Sequence, residues 1–152
     1  MDTIKQLRLG VLTSHNGTNL QAIMEACKEG RLNALICVVI SNNSKSLALK
    51  RAQRELIPAY HLSNFSHPTA ESLDTAILNA LHRHKVDLVL LAGYMKLIGP
   101  KVLCKFPNRV LNSHPSLLPK YGGKGMYGSQ VHRSVIEADE KETGIKLLLV
   151  DG

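Results

Sequence analysis

The chain has 152 residues, enough for one domain with a real core, and its 44% apolar and 20% charged residues are ordinary for a folded globular protein. No run approaches the roughly 20 consecutive apolar residues of a helical membrane span. The net charge is +7, but the lysines and arginines are scattered and aromatics are only 4%, which argues against a nucleic-acid surface and leaves a small anionic ligand as the partner to look for.

The N-terminus, MDTIKQLRLGVL, lacks a basic start followed by a long apolar core, so no signal peptide is expected. The three cysteines, Cys27, Cys37 and Cys104, are odd in number, widely spaced and set among apolar neighbours. They read as reduced core thiols of a cytoplasmic protein. Without a Cys-x-x-Cys pair, no metal site is expected.

In chain order, residues 7–12 (LRLGVL) read as a strand that ends in a polar turn. Leu20, Ile23, Met24 and Cys27 repeat at helical spacing, and Gly30 stops that helix. Residues 34–40 (ALICVVI) form a nearly unbroken apolar run, the signature of a strand buried on both faces. A helix over 47–56, closed by Pro58, and a short strand over 59–62 follow. Leu73, Ala76, Ile77, Ala80 and Leu81 mark an amphipathic helix. Residues 87–92 (DLVLLA) are another buried strand. Pro100 starts a short helix through Cys104, and 109–113 is the next strand. Val131, Val135 and Ala138 line one face of a further helix, and 145–150 (IKLLLV) is the last strand.

Alternation of continuous apolar strands with helices predicts a single α/β domain over 1–152. Its core is an open, mainly parallel twisted sheet with helices on both faces. In such sheets ligands sit beyond the carboxyl ends of the strands, and three of those ends carry unusual residues.

The first is SHNGTN (14–19), between a strand and a helix N-terminus. Exposed amides and the helix dipole favour a phosphate there, with Gly17 allowing close approach and Thr18 and Asn19 adding donors. Plain helix capping accounts for the same residues. The second is GYMKLIGP (93–100), where two glycines bracket an apolar segment. Met95, Leu97 and Ile98 either line a flat apolar pocket or pack under the next helix.

The third is VLNSHPSLLPKYGGKGMYG (110–128). Asn112 and His114 are two apart, so on a strand they share a face. An amide donor beside an imidazole suits a developing oxyanion, and the histidine can donate or relay a proton near neutral pH. The alternative is a structural histidine. Ser113 falls on the opposite face and Ser116 lies beyond the kink. No serine or cysteine is therefore placed as a nucleophile, and direct attack by a substrate group is favoured over a covalent intermediate.

Residues 123–128 (GKGMYG) fit G-x-G-x-x-G, but they follow a Pro-Lys-Tyr loop rather than a strand, and Gly125 rather than Ser or Thr follows Lys124. Neither a dinucleotide turn nor a nucleotide P-loop is supported. His82 and His84, two apart on a helix, cannot share a face to hold a metal.

With these loops in view, the chain resembles phosphoribosylglycinamide formyltransferase of purine (IMP) biosynthesis. The resemblance is carried by NGTNLQA (16–22), LAGYM (91–95) and above all NSHPSLLPKY (112–121) followed by GGKGMYG. It implies a Rossmann-like formyltransferase fold and transfer of a formyl group from the co-substrate 10-formyltetrahydrofolate to the amine of glycinamide ribonucleotide, with no metal. It further implies that Gly17, Thr18 and Asn19 hold the substrate phosphate, and that Met95, Lys96, Leu97 and Ile98 line the folate pocket. Asn112 would meet the formyl oxygen and the folate, and His114 would be the catalytic acid. No nucleic-acid or membrane partner is implied, and the oligomeric state is left open.

Three departures stand out. His15 replaces the family's usual glycine, and Ala70 replaces an arginine that contacts folate. The family's catalytic aspartate, with its last strands and long C-terminal helix, is expected beyond Gly152, so the chain looks like the N-terminal part of the family domain with reduced activity. Other readings are a formyltetrahydrofolate hydrolase, a methionyl-tRNA formyltransferase and a non-catalytic module for a phosphorylated ligand.

Overall fold

A computed structural model describes residues 6–115 and 145–149. The elements are β1 (Leu7–Thr13), α1 (Thr18–Lys28), β2 (Ala34–Ser41), α2 (Leu47–Arg54), β3 (Ala59–His61), α3 (Ala70–Arg83), β4 (Leu88–Leu91), α4 (Pro100–Lys105), β5 (Val110–Pro115) and β6 (Ile145–Leu149). They form a six-stranded sheet in the order β3-β2-β1-β4-β5-β6. The chain starts at β1, runs outward to β2 and β3, then returns to lay β4 on the other side of β1. The strand order reverses between β1 and β4, and in open sheets the crevice beyond that point is where ligands bind.

Strand parity sorts the apolar residues into two cores. Leu9 and Val11 of β1 face Leu20, Ile23 and Met24 of α1 and Ala48, Leu49 and Ala52 of α2. Leu12 faces Leu73, Ile77 and Leu81 of α3 and Val102 of α4 on the other side. A bulge keeps β2 in step: its register on β1 jumps from Leu9↔Ile36 to Gly10↔Val38. The extra residue, Cys37, lets Ile36 and Val39 share one core while Val38 and Ile40 join the other.

Three expectations need correction. Leu35 is 46% exposed, so β2 is not buried along its whole length. Cys27 is half-buried and Cys37 buried, but Cys104 is exposed on α4 and is no core thiol. The helix over 47–56 ends at Arg54, where Leu56 turns to φ 60. The sheet is mainly parallel, as expected, with the last strand as its one antiparallel member among those described. That strand pairs with β5, Pro115 opposite Ile145, so the chain re-enters the sheet at the end where it left. The helix expected around Val131–Ala138 and the loop 116–128 lie outside the described residues.

One buried carboxylate ties the helices of the second core together. Asp74 on α3 is 5% exposed and accepts from the amides of Lys101 at 2.8 Å and Val102 at 3.2 Å, the first turn of α4. A Cβ on Gly99 would sit 2.3 Å from its Cγ, so the preceding residue has to be glycine. Asp74→Ala leaves those amides unpaired in the interior. A loss of about 2 kcal/mol is expected in urea unfolding, with Asp74→Asn intermediate because it keeps one acceptor.

Candidate active site at the sheet edge

The three unusual loops leave the same edge of the sheet in neighbouring rows. Leu12 pairs with Leu91, and Leu91 with Asn112. The turn after β1, the loop after β4 and the end of β5 are therefore side by side, with β4 in the middle.

The turn is built largely by α2. Gly17 is the N-cap of α1 at φ 82 and, being glycine, offers no side chain to cap the helix. The carbonyl of Gly17 accepts from Gln21 at 2.8 Å, and the amide of Thr18 is met by Asn16 Oδ1 at 3.2 Å. From α2, the hydroxyl of its N-cap, Ser46, donates to the carbonyl of His15. Arg51 donates through Nε to the carbonyl of Asn16 at 2.8 Å and through Nη1 to Gln21 Oε1 at 3.1 Å. Gly17, Thr18 and Asn19 thus stand together at the positive end of an 11-residue helix, with a guanidinium bracing the turn from outside. His15, which replaces a glycine in the resembling family, is exposed.

The loop after β4 is fastened to this turn through Ser14, 3% exposed. The Ser14 hydroxyl donates to Asn42 Oδ1 at 2.6 Å and accepts from the amide of Met95 at 2.8 Å. Its own amide donates to the carbonyl of Gly93 at 3.2 Å. Beyond that clamp, Met95, Lys96, Leu97 and Ile98 form one wall of a groove of about 820 Å³. Leu73, Asp74 and Ile77 of α3 form the opposite wall, with Asn64 and Ala70 at the rim. Met95 is 66% and Leu97 96% exposed, so they do not pack under α4; Ile98 alone is tucked against the second core.

Asn112 is half-buried on β5, with Leu91 beside it. His114 follows two residues along the same strand, in backbone register with Lys146 of β6. Two other titratable groups are set aside by burial. The Cys27 thiol is pushed up to about 11 by desolvation and stays neutral near pH 7. The Tyr94 hydroxyl is also raised by burial and has no hydrogen-bond partner. Among the described residues no cluster of His, Cys, Asp or Glu could hold a metal, and no helix is long and apolar enough to cross a membrane.

Sequence reasoning missed Ser14, Asn42, Ser46 and Arg51. Arg51 had a signal: it lies three residues after buried Ala48 and one before buried Ala52, on the side of α2 that faces the protein. Ser14 and Asn42 had none, because a polar residue after a strand reads as loop whether or not it bridges to another strand.

Known proteins match this arrangement. A family model described as formyl transferase matches residues 7–152. A phosphoribosylglycinamide formyltransferase of Haemophilus influenzae is 41% identical over 95% of this chain and 66% of its own length. A chloroplastic phosphoribosylglycinamide formyltransferase of Arabidopsis thaliana is 34% identical over 92% of this chain and 48% of its own. The chain thus spans about half to two thirds of these relatives. The crystal structure of phosphoribosylglycinamide formyltransferase from Bacillus halodurans superposes with a TM-score of 0.70 at 30% identity, covering 95% of this chain and 73% of that one. The chain belongs to the formyl transferase family and, within it, to the phosphoribosylglycinamide formyltransferases.

Proposed function

We propose that this chain carries the substrate-binding half of an enzyme that transfers a formyl group from 10-formyltetrahydrofolate to the amine of glycinamide ribonucleotide. The observation that supports it most is the alignment of three strand ends, Leu12 beside Leu91 beside Asn112. This brings the turn over 17–19, the loop over 93–99 and the strand carrying Asn112 and His114 to one edge. The phosphate goes to Gly17, Thr18 and Asn19, and the flat folate ring system to the groove along Met95, Lys96, Leu97 and Ile98.

The substrate amine attacks the formyl carbon and forms the new C–N bond. The carbonyl electrons move onto oxygen, where the Asn112 amide donates to the oxyanion. Collapse breaks the bond between the formyl carbon and the folate nitrogen. His114 delivers a proton to that leaving nitrogen, and the attacking amine gives up one proton in exchange. With both reactants held, much of the acceleration comes from positioning. A family carboxylate that orients His114 would complete the site.

The test is formyl transfer by the purified chain given both substrates, repeated after extending it with the C-terminal segment of the Haemophilus relative. Transfer is expected in the extended form and to be about a hundredfold or more weaker without the extension. Formate release with no ribonucleotide product would turn the reading to a formyltetrahydrofolate hydrolase. Ribonucleotide binding with no chemistry in either form would leave a non-catalytic module.

A further inference from the structure

The Ser14 clamp joins two elements to which the proposed function gives different ligands. It is almost wholly buried, it lies one residue from the His15-Asn16-Gly17 turn, and it holds the loop after β4 at two points, Gly93 and Met95. Asn42, at the end of β2, fixes the direction of its hydroxyl, and Asn43 Nδ2 donates to its carbonyl at 3.3 Å. Among the described residues the loop is held otherwise by Tyr94 and Ile98, which pack against the second core. Gly93 stands at φ 74, and Met95 and Leu97 are mostly in solvent. The exposed stretch around Met95 and Leu97 opens locally at low cost, and the bond from Met95 to Ser14 opposes that opening.

We infer that Ser14 is a positioning residue that couples the two half-sites. An anion on the turn restrains the Ser14 peptide, this holds the loop 93–99 against the sheet, and the folate groove is shaped as a result. The inference rests on the functional reading above, because it takes its two ligands from it. By linkage the effect is reciprocal: folate in the groove raises affinity at the turn by the same factor.

The experiment follows the Met95 amide by hydrogen exchange during titration with glycinamide ribonucleotide, and measures tetrahydrofolate affinity with and without saturating ribonucleotide. In the wild-type chain exchange at Met95 is expected to slow, and tetrahydrofolate to bind about fivefold or more tightly once the turn is filled. Ser14→Ala is expected to abolish both responses while each ligand alone still binds. Asn42→Ala, which removes only the acceptor on the half-exposed side, is expected to reduce both, and it decides the matter if Ser14→Ala does not fold. A Met95 response in these variants equal to the wild type overturns the coupling. So does a wild-type chain that binds both ligands independently. A wild-type chain that does not bind the ribonucleotide at all overturns the functional reading instead.

Discussion

Replacing Gly17 with valine is expected to lower affinity for glycinamide ribonucleotide by at least about a hundredfold and to destabilise the fold by about 3 kcal/mol. Two effects add. At φ 82 the backbone is in the left-handed region, where a β-branched side chain is a strained outlier. A Cβ there would also lie 2.9 Å from both Cα and Cβ of Ala48, in the first turn of α2, and 3.2 Å from Arg51 Cδ. Because a helix backbone cannot step aside as a side-chain tip can, the turn has to move away from α2. That movement breaks the bonds from Ser46 and Arg51 that shape it. Gly30→Val separates the causes. Gly30 has a similar φ of 76 but nothing within 4 Å of its Cβ position, so it carries backbone strain without a collision. Calorimetric titration should find ribonucleotide affinity intact in Gly30→Val and lost in Gly17→Val. Affinity retained in Gly17→Val would mean that the phosphate is held elsewhere.

The contrast between these two glycines also shows what could be read from the chain and what could not. Both appear as helix punctuation in the sequence, and both do have positive φ. Only the fold brings α2 against one of them. The same holds elsewhere. The apolar runs of β1, β2, β4 and β5 were legible because buried parallel strands need continuous apolar sequence on both faces. The direction of β6 was not, because IKLLL pairs equally well either way; its register is set by where the connection returns. Asp74 sits inside an amphipathic helical pattern that predicts only its apolar neighbours. Its burial depends on two amides of α4, some 27 residues away in sequence. Cys104 looked internal among apolar neighbours, but α4 is one short six-residue helix with a single buried position, Val102. For the candidate site, local spacing placed Gly17, Asn112 and the loop 93–100 at strand ends. The clamp that fastens two of those ends is a long-range contact, Ser14 to Met95, with no local signature.

His114→Ala is expected to cut formyl transfer by the extended chain about a hundredfold to ten-thousandfold, the usual worth of a general acid–base group. Ribonucleotide affinity should stay within a few-fold of the wild type. The two effects separate because the groups come from different strands. The turn proposed to hold the phosphate hangs from β1 and is braced by α2, whereas His114 is on β5, with β4 between them. The loss should therefore fall on kcat rather than on the KM for the ribonucleotide. Added imidazole is expected to restore part of the turnover, which distinguishes a missing proton donor from a disturbed strand. If transfer continues undiminished in His114→Ala, the proton must come from another group. Two buried groups can be set aside. Cys27 is kept neutral by burial with a value of about 11, and the Tyr94 hydroxyl is buried without a partner through which to relay a proton. Undiminished transfer would move the proton route to another group at the groove, such as Lys96, or to solvent, and would leave pre-organisation of the two substrates at the sheet edge as the larger part of the acceleration.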